Sequence, residues 1–163
     1  MHDTCRRSIL PNLFWCEFGV LILAALVFVG CKPSTPPIVP VSGTVTVDGK
    51  PLPHAKVWFT PTVPGVNGDF MASAVTDEEG KYVLVSANGE SGVCSCQCKV
   101  TVSEGPIPEE LRAKGQAGGP QIAKFRKSLK NRPIPRLYMT LGQSPLVLEI
   151  SEETSDYPLE LSR

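Results

Sequence analysis

From Val41 onward the chain alternates between apolar and polar residues with a period of two, a pattern that suits half-buried strands and not amphipathic helices. Val41, Gly43, Val45 and Val47 fall on one face, and Ser42, Thr44 and Thr46 on the other. Asp48-Gly49 follows, a dipeptide suited to a two-residue hairpin turn. Ala55, Val57 and Phe59 then alternate with Lys56, Trp58 and Thr60, and a loop rich in Pro and Gly covers 61–69. The segment 70–76 reads as a strand, Asp77-Glu78-Glu79-Gly80 as a turn, and Tyr82 and Leu84 as one face of the next strand. Asn88-Gly89 and Ser91-Gly92 precede a strand predicted over 93–103. Two late strands carry Leu146, Leu148 and Ile150, then Tyr157, Leu159 and Leu161. With 16 Pro and 14 Gly in 163 residues, short strands joined by turns are expected. The prediction is an all-β fold, an antiparallel seven-stranded sandwich.

The first thirty residues do not share this pattern. Arg6 and Arg7 precede a 12-residue apolar run over 18–29, then Gly30 and Cys31. A basic start, a short apolar core and a small residue fit an export signal. A membrane-spanning helix needs about 20 apolar residues, and reaching that length would include Pro11, Asn12 and Glu17. The arrangement resembles the signal peptide and lipobox of a bacterial lipoprotein, with Phe28 where lipoboxes usually carry Leu. The resemblance implies cleavage after residue 30 and a lipid on the Cys31 thiol. At about 0.8 kcal/mol per buried methylene, two or three acyl chains give a firm anchor. Lys32, standing where an Asp would retain such a protein at the inner membrane, implies onward export to the outer membrane or cell surface. Residues 32–40 hold four prolines and read as a semi-stiff linker.

Val-Ser-Gly-Thr-Val-Thr-Val-Asp-Gly-Lys-Pro-Leu-Pro-His-Ala-Lys-Val-Trp-Phe-Thr-Pro over 41–61, with Thr-Asp-Glu-Glu-Gly-Lys-Tyr-Val-Leu over 76–84, resembles the carboxypeptidase regulatory-like domain. Ile134-Pro-Arg-Leu-Tyr138 and Ser144-Pro-Leu146 are similar to short bacterial lipoproteins that carry it. The resemblance covers 41–103 and 133–161 and implies a prealbumin-like (transthyretin-like) sandwich. His54 stands where that pattern usually has Gly. The motifs concern fold and imply no peptidase activity. The expected organisation is a signal peptide over 1–30, a linker over 31–40, and a β-sandwich over 41–163 with a flexible basic insertion at 104–136.

Six cysteines are present. Cys5 and Cys16 leave with the signal and Cys31 is lipidated, so Cys94, Cys96 and Cys98 remain, an odd number for an exported protein. Alternation puts these three on one face with Val100 and Val102. On a regular strand such neighbours are about 6.6–6.8 Å apart at Cα. A disulfide prefers about 5.5–6 Å, and a Zn²⁺ needs every sulfur at about 2.3 Å. Buried packing thiols are therefore expected; the alternatives are a disulfide, strained or intermolecular, and a metal site for which Cys94, Cys96 and Cys98 are weak candidates, and a bulge would rescue either.

No other residue set carries chemistry. His54 has no oriented nucleophile beside it in the sequence. Asp77-Glu78-Glu79-Gly80 lacks the alternating ligand spacing of a calcium loop. Residues 111–136 hold eight basic and no acidic side chains, and 149–160 five acidic and no basic ones. Within the basic stretch, 121–130 reads as a short helix, and Lys124, Arg126, Lys127, Lys130 and Arg132 could meet an anionic surface. The alternative is a solvated insertion offset by the acidic segment. The reading is a non-enzymatic, lipid-anchored envelope protein without a cofactor. Its expected partners are the membrane, an envelope protein or an anionic polysaccharide, and no nucleic acid. Two further readings stay open: a metal-binding or redox protein using Cys94, Cys96 and Cys98, and an accessory subunit of a separate envelope enzyme.

Overall fold

The computed structural model describes residues 36–66 and 68–163. The expected signal peptide, the lipid-bearing Cys31 and most of the linker lie outside the described residues. Among the described residues eleven short strands make the fold all-β: β1 (Ile38–Val39), β2 (Ser42–Val47), β3 (Lys50–Pro51), β4 (Ala55–Pro61), β5 (Ala72–Val75), β6 (Lys81–Val83), β7 (Val85–Ser86), β8 (Val93–Cys94), β9 (Gln97–Glu104), β10 (Val147–Glu149) and β11 (Leu159–Leu161).

One sheet runs β10-β9-β4-β5-β7 and is antiparallel throughout. A second runs β11-β2-β3, with β6 also paired to β2, and β1 pairs with β8. The expectation of seven strands, all antiparallel, needs two corrections. Turns and prolines cut the chain into more and shorter strands, and β11 lies parallel to β2, Leu159 opposite Val45. The expected linker also ends early, because Ile38–Val39 is already part of the sheet structure.

The alternation has the physical consequence it implies. Along β2 the valines at 45 and 47 are buried while Ser42, Thr44 and Thr46 are half-exposed. Along β4, Ala55, Val57 and Phe59 point inward. Residues from both sheets form one core cluster, with Phe59, Leu52 and Leu84 its largest fully buried side chains. Burying a Leu or Phe contributes about 1.5–3 kcal/mol relative to exposure. The Phe59 and Tyr82 rings meet across the core at 6.1 Å. The Tyr82 hydroxyl donates to the Tyr157 carbonyl at 2.6 Å, above Gly43, where a Cβ would overlap that carbonyl.

Asp48-Gly49 forms the expected hairpin, with φ of 50° and 75° and Val47 opposite Lys50. The turn at 77–80 is equally local. The Asp77 Oδ1 accepts from the backbone N–H groups of Glu79 and Lys81 at 3.0 and 2.8 Å, and Gly80 takes φ +78°. Just before it, the buried Thr76 hydroxyl accepts from Ala55 N–H at 2.8 Å and donates to the Leu52 carbonyl at 2.7 Å. The basic insertion expected at 104–136 contains a helix, α1 (Glu109–Arg112), and a 3-10 turn at Gly115–Gly118; α2 (Gly119–Ser128) follows. The helix expected over 121–130 thus starts two residues earlier and ends two earlier, with Pro120 in its first turn.

Thr76→Val keeps the shape and leaves one buried N–H and one carbonyl without their partner. Stability should fall by about 1–3 kcal/mol, measured as the urea midpoint multiplied by the slope; an unchanged midpoint would contradict this account of Thr76.

Candidate functional site: three buried thiols at a strand break

The strand expected over 93–103 is interrupted. Its first part, β8, pairs with β1, placing Cys94 opposite Ile38. Its second part, β9, pairs with β10 and β4 from Gln97 and Cys98 onward. A single extended run cannot serve both sets of partners, so Ser95 and Cys96 form a bend between them. Three contacts fix the bend. The Ser95 N–H donates to the Pro37 carbonyl at 2.7 Å, the Ser95 hydroxyl donates to the Ile150 carbonyl at 3.1 Å, and the Ile150 N–H donates to the Cys96 carbonyl at 3.1 Å. Gly92 permits the approach of β1: its φ is +117°, and a Cβ there would overlap the Val39 carbonyl.

The bend leaves all three cysteines facing inward and draws their ends together. The Sγ atoms of Cys94, Cys96 and Cys98 lie within 4.8 Å of one another, and those of Cys94 and Cys96 are 2.7 Å apart. The spacing argument for a regular strand therefore does not hold here, because the strand is not regular. All three are free thiols. Cys94 and Cys98 are fully buried, and Cys96 is 7% exposed.

Burial sets the protonation of this cluster. It pushes the Cys94 thiol up to about 12, with the hydrogen bond to Cys96 and the charge of Cys96 adding to it. Burial also pushes Cys98 up, reinforced by the charges of Cys96 and Cys94. A buried thiol that holds its proton is a poor nucleophile. The arrangement suits coordination or pairing between the sulfurs better than attack on a substrate.

The other candidates lie elsewhere in the domain. His54 takes φ 52°, the backbone conformation that favours the Gly expected at its position. Its Nε2 donates to the Pro106 carbonyl at 2.7 Å, and its ring meets Phe125 edge-on at 5.1 Å. Both rings line an open cleft of about 450 Å³ with Asp77, Glu78, Leu129 and Lys130. Lys124, Arg126, Lys127 and Lys130 are exposed on α2 and the residues just after it. Arg132 is set apart. Its Nε donates to Glu104 at 2.7 Å and its Nη2 to the carbonyls of Pro53 and His54 at 2.9 and 3.2 Å, and its side chain is 12% exposed. Arg132 therefore latches the basic segment to the start of β4. Asn131 adds to the latch, donating to the carbonyls of Val47 and Lys50 at 3.1 and 2.9 Å. Among the described residues no ion pair joins the basic 111–136 stretch to the acidic 149–160 stretch; the pairs are Arg112–Glu109, Arg132–Glu104 and Arg163–Asp48.

Sequence reasoning missed Ser95, Gly92, Asn131 and the structural role of Arg132. Ser91-Gly92 was visible as a break, yet nothing local shows which strand the break admits. No protein-family model, no curated protein and no solved structure matches this chain.

The raised thiols give a pH dependence. A thiol held protonated in the folded state stabilises the fold fully below its unfolded value, and that stability is lost as pH rises through the folded value. In reduced, metal-free protein the urea midpoint should fall as pH rises from the ordinary 9.0 toward about 12. Tyr82, also raised by burial, adds to the decline with the same sign. Cys94→Ala and Cys98→Ala should each flatten it; equal slopes in wild type and variants would contradict the assignment.

Proposed function

We propose that the protein is a non-enzymatic binding module held at the cell envelope by a lipid on Cys31. The observation that carries this reading is the run over 18–30, apolar and ending in Gly, followed by Cys31 and four prolines. The all-β domain supports it by giving the anchor something compact to carry. On this reading the two sheets and their shared core are a sandwich of the prealbumin-like, carboxypeptidase regulatory-like kind. The motif positions support that: Thr76 and Asp77 make the hydrogen bonds of a strand-ending turn, and His54 sits in a glycine's conformation. His54 donates one ring nitrogen to a backbone carbonyl and packs on Phe125, roles that concern structure.

The partner surface in this reading is the exposed face bearing Lys124, Arg126, Lys127 and Lys130. It would take an anionic polysaccharide or an acidic patch on another envelope protein. Attraction between exposed charges is screened over roughly 8 Å at physiological ionic strength, so such binding weakens with salt.

The anchor is tested with the full chain expressed in a bacterial host. Wild type should partition with membranes and carry an acylated N-terminal cysteine by mass spectrometry. Cys31→Ser should carry no lipid and leave the detergent phase. An N-terminal mass and partitioning that do not change on Cys31→Ser would overturn the reading.

A further inference from the structure

We infer that Cys94, Cys96 and Cys98 form a three-coordinate thiolate site for a soft monovalent cation, Cu(I). The site does not depend on the anchor or on the basic face. Its basis is geometric. Three sulfurs shared by one metal at about 2.3 Å stand roughly 4 Å from one another. Here all three sulfurs lie within 4.8 Å of one another, with Cys94 before the bend, Cys96 in it and Cys98 after it. The close Cys94–Cys96 pair, at 2.7 Å, would open to admit the ion, a movement of roughly 1 Å that side-chain rotation supplies.

The donor set selects the metal. Soft thiolates favour Cu(I), zinc and iron–sulfur clusters over hard cations. The common iron–sulfur clusters take four cysteines, and zinc is four-coordinate, with Cys₄ or Cys₃His in structural sites and a water completing open sites built on three protein ligands. Among the described residues the group comprises three cysteines and no His, Asp or Glu close enough to serve as a fourth ligand. Cu(I) alone among the three is satisfied by three sulfurs. The surroundings favour the reduced ion, since Cys94 and Cys98 are fully buried against an apolar core. On binding, each coordinating thiol releases its proton to solvent and becomes a thiolate, and no electron is transferred. Cys96 is the least buried of the three, at 7% exposure.

The bend belongs to the site. Gly92, Ser95 and Ile150 hold it, and none of them touches the ion. They are positioning residues whose loss would return the segment to an ordinary strand with its sulfurs apart.

The test is an anaerobic titration of the reduced full-length protein with Cu(I) in competition with bicinchoninate. One Cu(I) per chain should be retained, with thiolate-to-copper charge-transfer absorption and a copper X-ray absorption spectrum showing three sulfur neighbours only. The triple variant Cys5→Ala, Cys16→Ala, Cys31→Ala should retain the ion equally well. Cys96→Ala, at the most accessible ligand, should lose it while its circular dichroism stays native. Should Cys96→Ala not fold, the X-ray absorption of wild type decides by itself. A copper shell containing nitrogen or oxygen would overturn the inference. So would complete release to the chelator, retention by folded Cys96→Ala, loss in the triple variant, or preference for Zn²⁺ over Cu(I).

Discussion

Gly92 lies against the Val39 carbonyl in a space that no side chain could share. That contact lets β1 reach β8, and the rest of the local geometry follows from it. With Ile38 opposite Cys94, the strand must leave β1 after two residues to join β10 and β4. The bend at Ser95 and Cys96 is the cheapest way to make that change, because its polar backbone atoms find partners at Pro37 and Ile150. A bend with unpaired groups would cost about 1–3 kcal/mol for each one buried. Three thiols that a regular strand would keep apart are thereby brought to one point.

Much of the fold was legible because burial follows the period of the sequence. The inward residues of β2, β4 and β6 are those the alternation selects, and the turns at 48–49 and 77–80 are specified by their own side chains and backbone preferences. The break in the 93–103 strand was not legible, and the reason is instructive. Cys94, Cys96, Cys98, Val100 and Val102 remain buried on either side of the bend, so the apolar period continues through it unbroken. Periodicity records which way a side chain faces and says nothing about which neighbour the backbone pairs with. The parallel pairing of β11 with β2 was hidden for the same reason.

The basic insertion illustrates a different limit. Its composition, rich in Gly and Pro, suggested a flexible loop, and its charge suggested a surface. The structure separates two kinds of cation within it. Lys124, Arg126, Lys127 and Lys130 project outward, while Arg132 reaches back to Glu104 and to the carbonyls of Pro53 and His54. These partners are 28, 79 and 78 residues away in sequence, beyond the reach of any local pattern. An Arg serves here because its planar fork donates to a carboxylate and three carbonyls from nitrogens spread across the fork, whereas a lysine has three donors on one atom. The same latch presents the outer cations, since Arg132 fixes the chain two to eight residues beyond them.

Depth of burial and ease of entry are usually opposed, and the thiol cluster reconciles them through β1. This strand has two residues, and its pairing with β8 is the smallest sheet among the described residues. Short, sparsely paired elements open at lower free energy than the core. When β1 lifts, Cys94 loses its strand partner Ile38 while Cys98, the second residue of β9, keeps its partners Leu148 and Pro61 on both sides. One ligand is thus set by the five-stranded sheet and another by the two-stranded pairing of β1 with β8. A cation captured by both joins them, so occupancy of the cluster and closure of β1 must favour each other.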